Sequence, residues 1–180
     1  MAFIVELMNT PPITSNNPFA LIQAYGKADK WNGLIGQWPN GFLKFDTPLN
    51  GARAGIISFI NTYLKRGINT IEKIFPIYAP SGHGGNDPDK YIANVVSFTG
   101  IAKNKPLTDA TDIIKVLKAI IRVESGKDWI SNPILISAYE SAADVTKFPA
   151  RLKNKNVKLI LPMVIFLIGI LWIRKQYLSQ

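Results

Sequence analysis

The feature that most constrains this chain is an unbroken apolar run at residues 159–173, with the sequence LILPMVIFLIGILWI. A helix that crosses the hydrocarbon layer of a membrane needs about 20 residues. Lys158 and Arg174 flank the run, and their aliphatic stems extend it while their charges stay in water. The run therefore predicts a single transmembrane helix. A buried core helix is the alternative for an apolar segment of this length.

Residues near both ends of the run favour the membrane interpretation. Tyr177 lies beyond it, where an interfacial aromatic side chain is expected, and further basic residues continue on both sides. Such basic clusters attract anionic lipid headgroups at about 1 kcal/mol per charge. We therefore expect a single-pass membrane protein with a lipid bilayer as a partner. The expected membrane-anchor residues are Leu159, Phe166, Trp172, Lys158, Arg174 and Lys175.

The rest of the chain has the length and composition of one globular head. About 150 residues remain once the tail is set aside, enough to bury a continuous core. We expect an N-terminal arm at residues 1–14, a head at 15–148, a basic linker at 149–158, the transmembrane helix at 159–173 and a short tail at 174–180. The net charge of +9 belongs largely to the linker and the tail. No basic helix carries base-reading residues, so nucleic acid is not an expected partner.

Composition also limits the chemistry available to the head. The chain has no cysteine, which excludes disulfides and thiolate catalysis. His83 is the single histidine, and no cluster of carboxylates surrounds it in the sequence. We therefore expect neither a metal site nor a cofactor.

Helix start and stop signals predict a mainly α head of four or five helices. A capping residue followed by proline opens several of these segments, and glycine follows several of their ends. Residues 9–50 are rich in Asn, Pro, Gly and aromatic residues and are expected to form loops with short helical or extended pieces. The predicted helices begin at Thr47, Thr70, Asp87, Thr108 or Asp109, and Asn132, and end near Lys65, Tyr78, Thr99, Glu124 and Lys147.

One of these helices carries a carboxylate on its apolar face. On a helical wheel, Glu124 falls about 20° from Ile113, in the middle of the apolar stripe. A carboxylate is costly to bury there, and the last turn of a helix disfavours negative charge. Both effects raise a carboxyl pKa, as a general acid requires near neutral pH. The alternative is that the helix frays here and Glu124 faces water beside Gly126.

Several short motifs resemble those of the lysozyme-like superfamily, especially phage virion-associated proteins that degrade peptidoglycan. The matching residues are Asn16, Asn17, Pro18 and Phe19, then Trp31, Asn32 and Gly33, then Phe42, Phe45 and Asp46, and finally Gly51, Arg53 and Ala54. The resemblance covers about residues 15–126 and implies a lysozyme-like helical head. In such enzymes the acid is a Glu in a Glu-Ser-Gly-like motif that closes a helix, which implies Glu124 here. Those enzymes place the acid before the other motifs, so we hypothesise a circularly permuted arrangement.

A glycosidase site also needs groups that bind the sugar and, by some routes, a second carboxylate. Asp46 is the better candidate for that carboxylate and Glu140 the other, although Asp46 equally suits capping of the helix that follows. A transglycosylase route needs no second acid. The candidate substrate-binding residues are Asn17, Tyr25, Trp31, Gln37 and Tyr78. Aromatic side chains pack on sugar rings and amides bind N-acetyl groups, but core packing and turns are the alternatives.

Two functions follow from this resemblance. The first is a membrane-anchored virion peptidoglycan hydrolase, of lysozyme or lytic transglycosylase type, that opens the host cell wall during penetration or lysis. The second is a non-catalytic structural virion protein with a lysozyme-like fold, which links the capsid or vertex to the viral membrane. Both imply a location in the virion membrane, or in the host inner membrane during assembly. The implied partners are peptidoglycan, lipid and other virion proteins.

Overall fold

Six helices and one β-hairpin form the part of the chain that the computed structural model describes, namely residues 11–23, 31–82, 85–150 and 152. In chain order the elements are α1 (Pro11–Thr14), β1 (Leu34–Gln37), β2 (Leu43–Phe45), α2 (Pro48–Thr62), α3 (Ile71–Tyr78), α4 (Pro88–Thr99), α5 (Ala110–Ser125) and α6 (Asn132–Thr146). A single 3₁₀ turn, Leu64–Arg66, follows α2.

Side-chain caps set the starts of three helices as the sequence predicts. The Thr47 hydroxyl accepts a 3.3 Å hydrogen bond from the backbone N–H of Asn50 at the start of α2. Asp87 and Asp109 cap α4 and α5 in the same way. Thr70 is different, because its side chain makes no capping hydrogen bond and its buried Oγ1 has no partner among the described residues. The predicted start of α3 is confirmed, although the Thr70 side chain does not cap the helix.

The ends of the helices also follow local chemistry. Gly67, Gly100 and Gly126 have φ values of 74°, 67° and 75°, in the left-handed region that favours glycine. Each lies where the sequence predicts a stop. The helix predicted to reach Lys65 ends instead at Thr62 and tightens into the 3₁₀ turn.

The β-hairpin is built from the segment that the sequence predicts as irregular. Strands β1 and β2 are antiparallel, with Leu34 opposite Phe45 and Gln37 opposite Leu43. Ile22 forms an isolated bridge to Phe42, so the segment before the hairpin lies along β2. A hairpin was not predicted here because its strands have only four and three residues, too few for an alternating pattern to stand out.

The core lies between α2, α5 and α6 and extends to α3 and α4. Helices α2 and α6 pack against each other along their lengths, and Arg53 Nε donates a 2.9 Å hydrogen bond to Ser141 Oγ between them. Helix α5 buries its apolar face in the centre, as its periodicity predicts. The largest fully buried side chains include Tyr139, Phe45, Phe75, Ile56, Ile60, Ile71, Ile74, Ile113, Leu117 and Ile120.

The predicted fold class, a lysozyme-like helical head with a single C-terminal transmembrane helix, is contradicted. Within the described ranges, no helix combines the length and the apolar character needed to cross a bilayer. The longest of them, α5, has 16 residues and carries a charged face opposite its apolar one. Residues 159–173 and the other expected anchor positions, including Lys158, Arg174 and Lys175, lie outside the described residues. What the structure supports is a mainly helical chain of six described helices.

Candidate functional site

A cleft of about 590 Å³ opens beside the C-terminal end of α5, and Glu124 forms part of its wall. Glu124 is half-buried, because the apolar face of α5 turns it toward the protein rather than toward water. The cleft is lined mainly by apolar and aromatic side chains from six stretches of the chain. Its lining residues are Phe19, Ala20, Leu21, Ile22, Phe42, Gly55, Ser58, Phe59, Tyr63, Tyr78, Ala79, Asn86 and Glu124.

Tyr91 holds the Glu124 carboxyl group in place. Its hydroxyl donates a 2.8 Å hydrogen bond to Glu124 Oε1 across the α4–α5 contact. The Tyr91 ring is buried and stacks on Phe75, with the ring centroids 4.7 Å apart. The donor is therefore fixed by core packing, and this restricts the positions that the carboxyl group can take.

Tyr78 completes the polar surroundings of Glu124. Its hydroxyl donates a 3.1 Å hydrogen bond to the backbone oxygen of Phe19. Its ring also meets the rings of Tyr91 and Tyr63, with centroids 5.7 and 6.4 Å away. Glu124 thus sits against a cluster of tyrosines at the base of the cleft.

Burial controls the protonation of these groups. It raises the pKa of Glu124 above the ordinary value of 4.5, and the hydrogen bond from Tyr91 and the nearby Tyr78 hydroxyl offset only part of this effect. Burial, together with the nearby Glu124 charge, also raises the pKa of Tyr78 and of Tyr91. The two phenols consequently remain donors at neutral pH. Glu124 retains its proton to a higher pH than a carboxyl group in water, as a proton donor requires.

Another part of the cleft lining is the segment of residues 19–22, which rests on α2. Gly55 allows this approach, because a Cβ atom at that position would overlap the ring of Phe19. Asn17 then ties the segment to the hairpin. Its amide nitrogen donates to the oxygens of Leu21 and Leu43 at 2.9 and 3.1 Å, and its Oδ1 accepts from the Leu21 N–H at 2.9 Å.

Among the predicted catalytic and substrate-binding residues that the structure describes, Glu124 and Tyr78 line the cleft. Asp46 is exposed at the start of α2, where it accepts a 2.8 Å hydrogen bond from Asn50 Nδ2. That bond is the main cause that lowers the pKa of Asp46, and a second comes from Thr47. Asp46 therefore lies beside the Thr47 cap of α2 and is not part of the cleft lining.

Three other predicted binding residues belong to the scaffold around the hairpin. Asn17 is fully buried, with its side chain engaged as described above. Trp31 is half-buried and packs against the core and the hairpin. The Gln37 amide donates to the backbone oxygens of Gln23 and Gly41. These contacts shape the hairpin beside the cleft and do not place the three side chains in its lining.

The remaining candidate residues are either outside the described ranges or away from the cleft. Tyr25 and all the membrane-anchor positions lie outside the described residues, and so does His83. Glu140 accepts a 3.4 Å hydrogen bond from the Leu152 N–H and does not line the cleft. No group of three potential metal ligands occurs within the described part of the chain.

Sequence reasoning missed Tyr91, Ser58 and Asn86. Tyr91 is 33 residues from Glu124 along the chain, and nothing local to either residue indicates the contact. Ser58 lies on α2 and Asn86 just before α4, where both look like ordinary polar positions. The packing of α2, α4 and α5 brings Ser58 and Asn86 to the cleft and Tyr91 to Glu124.

Comparison with known proteins gives the chain a family. No protein-family model matches it, so the expected membership of the lysozyme-like superfamily gains no support. The chain is, however, 35% identical over 124 residues to Protein P5 of Pseudoalteromonas phage PM2. The match covers 67% of this chain and 72% of that protein. With this identity and coverage, the chain belongs to the family of the phage protein P5.

Proposed function

We propose that this protein is a virion component of a phage and that its Glu124 cleft cuts glycan strands of the host peptidoglycan. Family membership supports the phage origin. The observation that carries the activity is the position of Glu124, a carboxyl group with a raised pKa in the wall of a cleft of about 590 Å³. A cleft of that size admits sugar rings, and its aromatic side chains offer faces on which such rings pack.

Glu124 acts in this proposal as the general acid. Its proton passes to the glycosidic oxygen while the bond from the anomeric carbon to that oxygen breaks, which leaves an oxocarbenium-like centre. Tyr91 then stabilises the carboxylate that forms, because its phenol donates to Oε1. The hydrogen bond thus supports the product state of the proton transfer as well as the position of the acid.

The lining of the cleft favours one route over the other. Among the described residues that line it, Glu124 is the single carboxyl group. Routes that use a nucleophilic or basic second carboxylate are therefore disfavoured. In the transglycosylase route, a hydroxyl group of the sugar itself attacks the anomeric carbon and returns its proton to Glu124. The product then carries an internal anhydro ring.

The second candidate is a structural virion protein that contacts other virion proteins and does not cleave. The same lack of a second carboxylate in the described lining favours it, as does the direct hydrogen bond that occupies one oxygen of Glu124. In this case the cleft is a packing or docking feature, and Glu124 contributes only to the local structure.

A zymogram of the full chain on purified peptidoglycan separates the two candidates. We expect clearing by the unmodified chain and by Glu72→Gln, which changes a carboxyl group outside the cleft. We expect no clearing by Glu124→Gln. Mass spectrometry of the products should show ends lighter by one water than those of hydrolysis. Equal clearing by Glu124→Gln would place the chemistry elsewhere, and no clearing by any of the three would support the structural candidate.

A further inference from the structure

A second pocket, of about 210 Å³, lies on the face of α5 that points away from the Glu124 cleft. Helical periodicity puts the cations of α5 on this side, opposite Glu124. Part of α4 and the loop after α5 complete the pocket. Its lining residues are Phe98, Lys115, Lys118, Ala119, Arg122 and Asp128. We propose that this pocket, called the α5 pocket below, binds a small phosphate dianion, either inorganic phosphate or a phosphomonoester.

Two of the cations are held in place by neighbouring side chains. The guanidinium carbon of Arg122 lies 4.2 Å from the centroid of the Phe98 ring. Stacking on a ring face leaves the N–H groups at the edge of the guanidinium available for oxyanions. Lys118 Nζ donates a 2.8 Å hydrogen bond to Asn132 Oδ1, which uses one of its three donors. The donors are thus partly ordered before a ligand arrives, which reduces the entropy cost of binding.

The charge of the α5 pocket matches that of a phosphate. Three cations and the Asp128 carboxylate give a formal charge of +3 − 1 = +2. Within the described residues the one ion pair joins Lys105 and Asp112, so the three cations have no carboxylate within 4 Å. A phosphate ester carries about −1.5 to −2 charges at neutral pH, whereas a carboxylate carries one.

The size of the pocket points to a small ligand. The volume of about 210 Å³ is below the roughly 300–1,000 Å³ of typical small-molecule sites. That space holds a phosphate with a short substituent.

The proposal does not depend on glycan cleavage, because the α5 pocket and the Glu124 cleft have no lining residue in common.

Calorimetric titration of the full chain with inorganic phosphate tests this proposal. We expect saturable binding that Arg122→Gln weakens about tenfold, the effect of losing a charge-assisted hydrogen bond. Arg66→Gln, which removes an exposed arginine elsewhere, should bind as the unmodified chain does. Lys115→Gln should also weaken binding, and it serves as the test variant if Arg122→Gln does not fold. Phosphate should bind more tightly at pH 8 than at pH 6, because its second ionisation lies near 6.

Further titrations distinguish the sources and the competing explanations. Tighter binding of glycerol 3-phosphate than of inorganic phosphate would assign the pocket to an ester, and the reverse would assign it to the free ion. Equal phosphate affinity of Arg122→Gln and Arg66→Gln would overturn the proposal. So would an Arg122-dependent affinity for duplex DNA without measurable phosphate binding, since that would make the surface a nucleic-acid contact.

Discussion

The Tyr91 hydroxyl lies 2.8 Å from Glu124 Oε1 and donates a hydrogen bond to it from a different helix. Because the Tyr91 ring is stacked in the core, the donor cannot follow the carboxyl group if that group moves. The contact therefore couples the ionisation of Glu124 to the packing of α4 on α5. Two of the predictions below depend on this coupling.

Tyr91→Phe should raise the pKa of Glu124 further. The hydrogen bond from Tyr91 stabilises the charged carboxylate and so lowers the pKa of Glu124. When this bond is removed, the rise in pKa caused by burial is offset less. NMR titration of the Glu124 carboxyl carbon measures the change directly. Tyr63→Phe is the matched control, since Tyr63 is a nearby phenol that makes no hydrogen bond to Glu124 in the structure. A larger shift in the control than in Tyr91→Phe would contradict the assignment.

Glu124→Gln should stabilise the protein at neutral pH. The pKa of Glu124 is higher in the folded state than the unfolded value near 4.5, so the folded state binds the proton more tightly. The stabilisation from this tighter proton binding is complete when the pH is below the pKa of Glu124 in the unfolded state. It is lost as the pH rises through the pKa of Glu124 in the folded state. The difference between variant and unmodified chain should therefore grow from pH 4 to pH 8. Urea unfolding at both pH values measures it, and an equal difference at the two pH values would contradict the raised pKa.

Asn17→Ala should destabilise the fold by about 3 kcal/mol. The change removes the Asn17 partner of the Leu21 N–H and of the Leu43 oxygen beside a fully buried side chain, and each such loss costs about 1–3 kcal/mol. The midpoint of denaturant unfolding reports the loss. Asn40→Ala is the control, because Asn40 is exposed and makes one long contact of 3.4 Å. Similar costs for both variants would show that Asn17 does not organise the segment.

Gly55→Ala should destabilise the protein although alanine is the better helix former. Propensity alone would favour alanine by about 1 kcal/mol. The added Cβ atom meets the Phe19 ring, and overpacking of this kind costs about 1–3 kcal/mol. The cost should be smaller in a Phe19→Ala background, where the ring is absent. Thermal unfolding of the unmodified chain, the two single variants and the double variant gives the coupling energy between Gly55→Ala and Phe19→Ala. An unchanged cost of Gly55→Ala in the Phe19→Ala background would exclude the contact with Phe19.

Thr70→Val should be neutral or stabilising by up to about 1 kcal/mol. The buried Thr70 hydroxyl has no partner in the described structure, and valine has the same shape without the polar atom. Denaturant unfolding of the two chains provides the comparison. Thr47→Val is the contrasting variant, since it removes a cap that is in use and should lower stability by about 1 kcal/mol.

The parts of the fold that follow from neighbouring residues could be predicted from the sequence. The starts of α2 and α4 depend on a capping residue followed by proline, and the end of α5 depends on Gly126. The same local periodicity placed Glu124 on the apolar face of α5, where the cleft contains it. Each of these inferences uses residues within a single helix or directly beside its ends.

The parts that depend on distant residues could not be predicted. The partner of Glu124 comes from α4, and the residues that bind Asn17 lie up to 26 positions away. Asp46 seemed available for catalysis because the sequence does not reveal that Asn50 engages it. The predicted fold class was wrong for a related reason, because short motifs in a given order do not determine how helices pack.

The seating of residues 19–22 on Gly55 has a consequence for how this family can diversify. One side of the cleft is carried by helices whose packing also maintains the core, whereas the other is a short docked segment. Substitutions at Ala20 or Ile22 can therefore reshape the opening while the helical framework stays intact. Ala20 and Ile22 thus influence the shape of the opening, whereas the core-facing residues of the helices maintain the fold.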